Sequence, residues 1–155
     1  IYSLGGVYLD IKSNCLHPLD SLISADDCLL LSQWNMSGSG RYEGWGQALD
    51  VAEVSGGEYQ QWNIISRAGH PLIKRVIDQV LLNIRYYRQD VAGVGFYGVL
   101  RTTGPYTYTR AIGAKPTQAR LFDSEQAGLV YSTVPGHIFI AGRRAYRVEK
   151  TPIVL

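Results

Sequence analysis

The most regular pattern of apolar and polar positions lies mid-chain, where Leu72, Ile73, Val76, Ile77, Val80, Leu81 and Ile84 recur at three- and four-residue spacing. That spacing lays one apolar stripe along a helix, predicted from about residue 71 to residue 88. Pro71 then takes a first helical position, where its missing N–H costs nothing. Near the start the period is two. Val7, Leu9 and Ile11 alternate with Tyr8, Asp10 and Lys12, which predicts a strand over about 6–12 with an acid and an amine on one face. The run Cys28-Leu29-Leu30-Leu31 is continuously apolar behind Asp26-Asp27, the pattern of an interior strand in a mostly parallel sheet.

Shorter signals fill the gaps. His17-Pro18-Leu19-Asp20-Ser21-Leu22 predicts a turn and a brief helical segment, and Pro105 opens a short helix carrying Tyr106 to Ile112. Ser37-Gly38-Ser39-Gly40 and Ser55-Gly56-Gly57 predict loops, while Tyr42 and Trp45 sit between them in a glycine-rich stretch that fits neither helix nor strand. In the tail, Leu129-Val130-Tyr131, then Pro135-Gly136, then His137-Ile138-Phe139-Ile140 predict a C-terminal β-hairpin. Strands interleaved with helices give an α/β class. At 155 residues the chain is long enough for one core, so residues 1–155 are read as a single domain.

Composition narrows the function classes. An apolar fraction of 46% with 18% charged residues excludes disordered and fibrous classes, and a net charge of +2 with scattered basic residues argues against nucleic acid as a partner. No apolar run reaches the length needed to span a bilayer, and the start lacks a signal-peptide pattern. Cys15 and Cys28 match no zinc spacing and read as two reduced, partly buried thiols. Ile1-Tyr2-Ser3-Leu4 reads as the last turn of a helix stopped by Gly5, so an N-terminally incomplete piece is expected.

Three blocks carry candidate chemistry. The first is Gly5-Gly6-Val7-Tyr8-Leu9-Asp10-Ile11-Lys12; the second runs from Gln61-Trp62-Asn63 to Gly69-His70-Pro71; the third is Thr103-Gly104-Pro105-Tyr106-Thr107-Tyr108-Thr109-Arg110. In this order they resemble the DXD sugar-binding glycosyltransferases of the GT-A type, whose best-known members transfer mannose. Gly136-His137-Ile138-Phe139 resembles a weaker fourth block from the same family.

The resemblance implies a mostly parallel GT-A-like sheet flanked by helices, of which this chain would be the C-terminal portion. It implies a transferase that moves a hexose from a nucleotide-diphosphate sugar donor to a glycan or glycolipid acceptor, with retention at the anomeric carbon. The alternative is a non-catalytic carbohydrate- or nucleotide-binding relative with a degenerate DXD motif. Location would be cytoplasmic, or membrane-associated through segments outside this chain.

The same resemblance implies a donor site built from Gly6, Tyr8, Asp10, Lys12, Trp62, Asn63, Thr103 and Gly104, with Asp10 as a ligand to Mn²⁺ or Mg²⁺. Read from its own surroundings alone, Asp10 is rather a solvated strand-end acid paired with Lys12. Lys12 stands where the family usually has a second Asp. That change removes a metal ligand and adds a positive charge that can itself bind phosphate, so donor binding with a weakened metal requirement is expected. Asn63 is a hydrogen-bonding candidate or a surface residue, and Thr103-Gly104 is an anion-facing helix start or a plain turn. His70 is expected to shape the helix entry, and His137 to pack. Gly93-Val94-Gly95-Phe96-Tyr97-Gly98 matches a dinucleotide fingerprint in letters only and is read as a flexible loop.

Overall fold

Leu29, Leu30 and Leu31 are all but completely buried and form the centre of a four-stranded sheet. The computed structural model describes residues 1–131 and 149–154. Its sheet joins β1 (Gly6–Leu9), β3 (Leu29–Leu31), β4 (Asn63–Ser66) and β5 (Arg120–Leu121) in the order β1-β4-β3-β5. A second, two-stranded ladder pairs β2 (Asn14–Cys15) with β6 (Leu129–Val130). Four helices follow β4 in the chain: α1 (Pro71–Arg85), α2 (Gln89–Ala92), α3 (Gly95–Thr102) and α4 (Pro105–Ile112).

The α/β class holds, but the sheet is mixed. β4 runs antiparallel to both neighbours, with Gly6 opposite Ser66 and Leu9 opposite Asn63 on one side, and Leu29 opposite Ser66 on the other. Within this sheet only β3 and β5 pair in parallel. The apolar run of β3 therefore reports burial on both faces of the sheet rather than parallel pairing. Leu29 and Leu31 join one core cluster with Tyr59, Leu72, Ile73 and Tyr108, while Leu30 joins another with Trp34, Trp62, Ile65 and Leu129. Each such leucine contributes about 1.5–3 kcal/mol by leaving water.

Helix α1 begins as the sequence predicts. His70 caps it: Nδ1 accepts the Leu72 N–H at 3.2 Å, and Nε2 lies 3.1 Å from the Gln118 carbonyl, the arrangement of a ring whose N–H is on Nε2. The apolar stripe is only half used. Leu72, Ile73 and Val76 are buried, whereas Leu81 is 59% exposed. Helix α4 starts at Pro105 as expected and packs against α1 and α3.

Two expectations shift, and a third is described only in part. The first strand ends at Leu9 because the Ser13 N–H turns back to the Asp10 carbonyl, which leaves Ile11 fully exposed instead of in the core. The segment read as a loop around Gly93–Gly98 closes α2 and opens α3. Its glycines serve packing, since a Cβ on Gly98 would sit 2.6 Å from the Gly93 carbonyl oxygen. In the tail, Leu129–Val130 is a strand paired with Asn14–Cys15; Pro135-Gly136 and His137 to Ile140, the rest of the expected hairpin, lie outside the described residues. Cys15 and Cys28 are free thiols, and among the described residues no helix is long and apolar enough to cross a membrane.

Candidate functional site

An open cleft of about 1010 Å³ runs beside the end of β1 and gathers residues from several separated segments of the chain. Tyr8, Asp10 and Lys12 form one side, Thr103, Gly104 and Pro105 at the start of α4 another. Trp34, Trp45, Trp62 and Tyr131 supply aromatic walls.

The strand end positions Asp10. Its backbone N–H donates to the Trp62 carbonyl at 2.8 Å, extending the β1–β4 ladder by one bond past Leu9. Its carboxylate is then engaged twice. The Tyr8 hydroxyl donates to Oδ1 at 2.7 Å, and Lys12 Nζ stands 3.9 Å from Oδ2. Lys12 also lies over the Tyr131 ring, 4.6 Å from its centre, where the ring's negative face attracts the ammonium. The hydrogen bond to Asp10, then burial and the nearby carboxylate charge, push the Tyr8 phenol up to about 12, so it stays a neutral donor at physiological pH.

The start of α4 contributes backbone. Gly104 is extended and carries no side-chain cap, so first-turn N–H groups remain for another acceptor. Gly104 is required by space: a Cβ there would lie 2.8 Å from the Leu100 Cα. The Trp62 indole N–H is buried and has no hydrogen-bond partner among the described residues. An unpaired buried donor costs about 1–3 kcal/mol.

Two predicted residues fall elsewhere. Asn63 is 2% exposed and lies behind the cleft, its Nδ2 donating to Gln60 Oε1 at 3.1 Å and to Ser32 Oγ at 3.2 Å. The hydrogen bonds of Asn63 thus hold β4 to the segment after β3. Gly6, with φ of +100°, lines a separate hollow of about 390 Å³ on the side of Cys28 and Arg67. His70 is spent on the helix cap, and His137 lies outside the described residues.

Other residues in the cleft escaped the sequence. Trp34 donates its indole N–H to Glu58 Oε1 at 2.7 Å, and both line the cleft. Burial pushes the Glu58 carboxyl above its ordinary value, with the Trp34 bond acting the other way. Trp34 meets Tyr42 and Trp45 edge to face at 5.0 Å each, and Tyr131 lies 5.2 Å from Trp62. The cue was the concentration of Tyr42, Trp45 and four glycines in a stretch without periodicity.

No family model, curated protein or solved structure matches the chain.

Proposed function

We propose that this chain forms part of a glycosyltransferase that moves a hexose from a nucleotide-diphosphate sugar to a glycan or glycolipid acceptor, with retention. The observation that carries the reading is convergence: Asp10, Lys12, Trp62, Thr103 and Gly104, drawn from three separated sequence blocks, line one cleft. The blocks were singled out by their resemblance to DXD sugar-binding glycosyltransferases, and nothing local requires them to meet.

The groups suit the chemistry. A diphosphate leaving group gathers negative charge as the glycosidic bond breaks, and fixed donors and cations at that position stabilise it. Lys12 and the uncapped start of α4 supply these. Asp10 accepts hydrogen bonds from sugar or ribose hydroxyls. Trp62 and Tyr131 offer ring faces for the donor to pack against.

A divalent cation prefers several oxygen ligands. Among the described residues no three His, Cys, Asp or Glu side chains group to hold one. Asp10 fits as a single ligand, and the donor's phosphates would supply the others. Bound so, Mn²⁺ or Mg²⁺ would act as a Lewis acid on the diphosphate. The Lys12 ammonium beside Asp10 supplies part of that charge from the chain itself.

Calorimetric titration of UDP and GDP with Mn²⁺, Mg²⁺ or EDTA tests this arrangement. Nucleotide affinity should fall about tenfold in Lys12→Ala, with a steeper dependence on metal. Unchanged, tight, Mn²⁺-dependent binding in Lys12→Ala would remove the lysine from the account. The Asp10–Lys12 pairing itself favours a second reading, a carbohydrate-binding relative without turnover, because an ammonium occupies the neighbourhood of the only candidate metal ligand in the cleft's first block.

A further inference from the structure

Trp45 and Glu58 are held at a fixed spacing by backbone. The Glu58 N–H donates to the Gly46 carbonyl at 3.0 Å, so the residue after Trp45 is clamped to Glu58. Two glycines make the clamp possible. Gly46 has φ of +74° and a Cβ there would meet the Trp34 ring at 2.5 Å; Gly57 has φ of +84° and a Cβ there would meet the Gly46 carbonyl oxygen at 2.4 Å. A loop without regular structure is thereby made rigid at the point where it enters the cleft.

The clamp presents two unlike surfaces. Trp34 is buried, but Trp45, packed edge-on against it, is 45% exposed and lines the cleft. Glu58 is 9% exposed, with Oε1 held by the Trp34 N–H; no described residue bonds Oε2. A carboxyl oxygen left open beside a half-exposed indole answers the two sides of a pyranose. The apolar C–H face packs on the ring, and a hydroxyl donates to the carboxylate.

Phosphate does not suit this place, since Glu58 would repel it. The cation that lines the cleft, Lys12, lies over the ring of Tyr131, which itself packs on Trp34 at 5.6 Å. The charged part of a nucleotide sugar belongs at the Lys12 end, and the neutral ring of the second substrate at the Trp45 end.

We propose that Trp45 and Glu58 form the acceptor subsite of the cleft and take a neutral hexopyranose there, Trp45 stacking on the ring and Glu58 orienting a hydroxyl. The word acceptor rests on the transferase reading; the sugar-binding site itself does not.

Titration of intrinsic tryptophan fluorescence with methyl hexopyranosides (gluco, galacto and manno, both anomers), in parallel with UDP and GDP, tests the assignment. The wild type should bind at least one glycoside. Glu58→Gln keeps an acceptor for the Trp34 N–H, so it should fold and lose about tenfold in glycoside affinity. Trp45→Ala should lose as much and Trp45→Phe should recover part of it, while nucleotide affinity stays as in the wild type. Glycoside binding equal in all four proteins, or nucleotide binding without any glycoside binding, overturns the subsite. Glycoside binding without nucleotide binding supports the subsite and overturns the transferase reading instead.

Discussion

The Tyr8 hydroxyl donates to Asp10 Oδ1 at 2.7 Å across the last residue of β1, so one face of a single strand carries both an acid and the group that orients it. The bond is solvent-exposed and worth about 1 kcal/mol or less to the fold. Its value lies in fixing which carboxylate oxygen is left for a ligand.

Tyr8→Phe should therefore leave the melting temperature within a few degrees of the wild type and lower kcat/KM for the donor about three- to tenfold. A variant with wild-type turnover would show that Tyr8 is only a neighbour of Asp10.

Glu58 ties the cleft to pH. Burial raises its folded pKa above the ordinary 4.5, so the folded state binds the proton more tightly than the unfolded chain does. Its contribution is then fully present below 4.5 and is lost as pH rises through the raised value. Melting temperatures measured from about pH 4 to about pH 8 should fall less steeply for Glu58→Gln than for the wild type. Parallel curves would contradict the burial of an ionising carboxyl here.

Asp27 works in the opposite direction. Arg120 grips it with two hydrogen bonds, Nε to Oδ1 at 2.7 Å and an outer nitrogen to Oδ2 at 2.6 Å, and joins β5 to the turn before β3. The bond to Arg120 lowers the Asp27 pKa from 3.8 to about 2. The stability it lends is present above 3.8 and disappears as pH falls toward 2. With Arg120 partly exposed and screened, that amounts to on the order of 1 kcal/mol. Urea unfolding of Asp27→Asn should show this deficit at pH 6 and none near pH 2, and an equal deficit at both would refute the linkage.

His70→Ala should cost about 1–3 kcal/mol in urea unfolding, because the Leu72 N–H loses its acceptor and the Gln118 carbonyl its donor. His70→Asn restores a capping oxygen and should recover part of the loss. A cost under half a kcal/mol would mean that Pro71 alone sets the start of α1.

Local chemistry was legible in the sequence where one residue type leaves few choices. Pro71 and Pro105 marked the starts of α1 and α4, and the uninterrupted leucines marked β3. Strand direction was not legible, because β4 inserts between β1 and β3 by a long-range pairing that no local pattern encodes. The site divided along the same line. Tyr8, Asp10 and Lys12 lie within five residues of one another at a strand end, so their meeting was within reach of the sequence, although the strand stops at Leu9 and a turn rather than alternation brings Lys12 back to Asp10. Glu58 and Trp34 meet across 24 residues through a loop whose glycines allow backbone to touch backbone, and nothing in the spacing announces it. Asn63 shows the reverse: the family resemblance implied a donor-site residue and its own surroundings left a surface role open, yet the core claims it through Gln60 and Ser32.

Turnover tests the central claim most directly. A panel of GDP- and UDP-hexoses should be incubated with the protein and a glycan acceptor mixture, with Mn²⁺, with Mg²⁺ and with EDTA, and nucleotide release followed for wild type and Asp10→Ala. Release from at least one donor that falls a hundredfold or more in Asp10→Ala is the predicted result. Nucleotide binding with no release under any condition, or release that does not depend on Asp10, would contradict a glycosyltransferase working through this cleft.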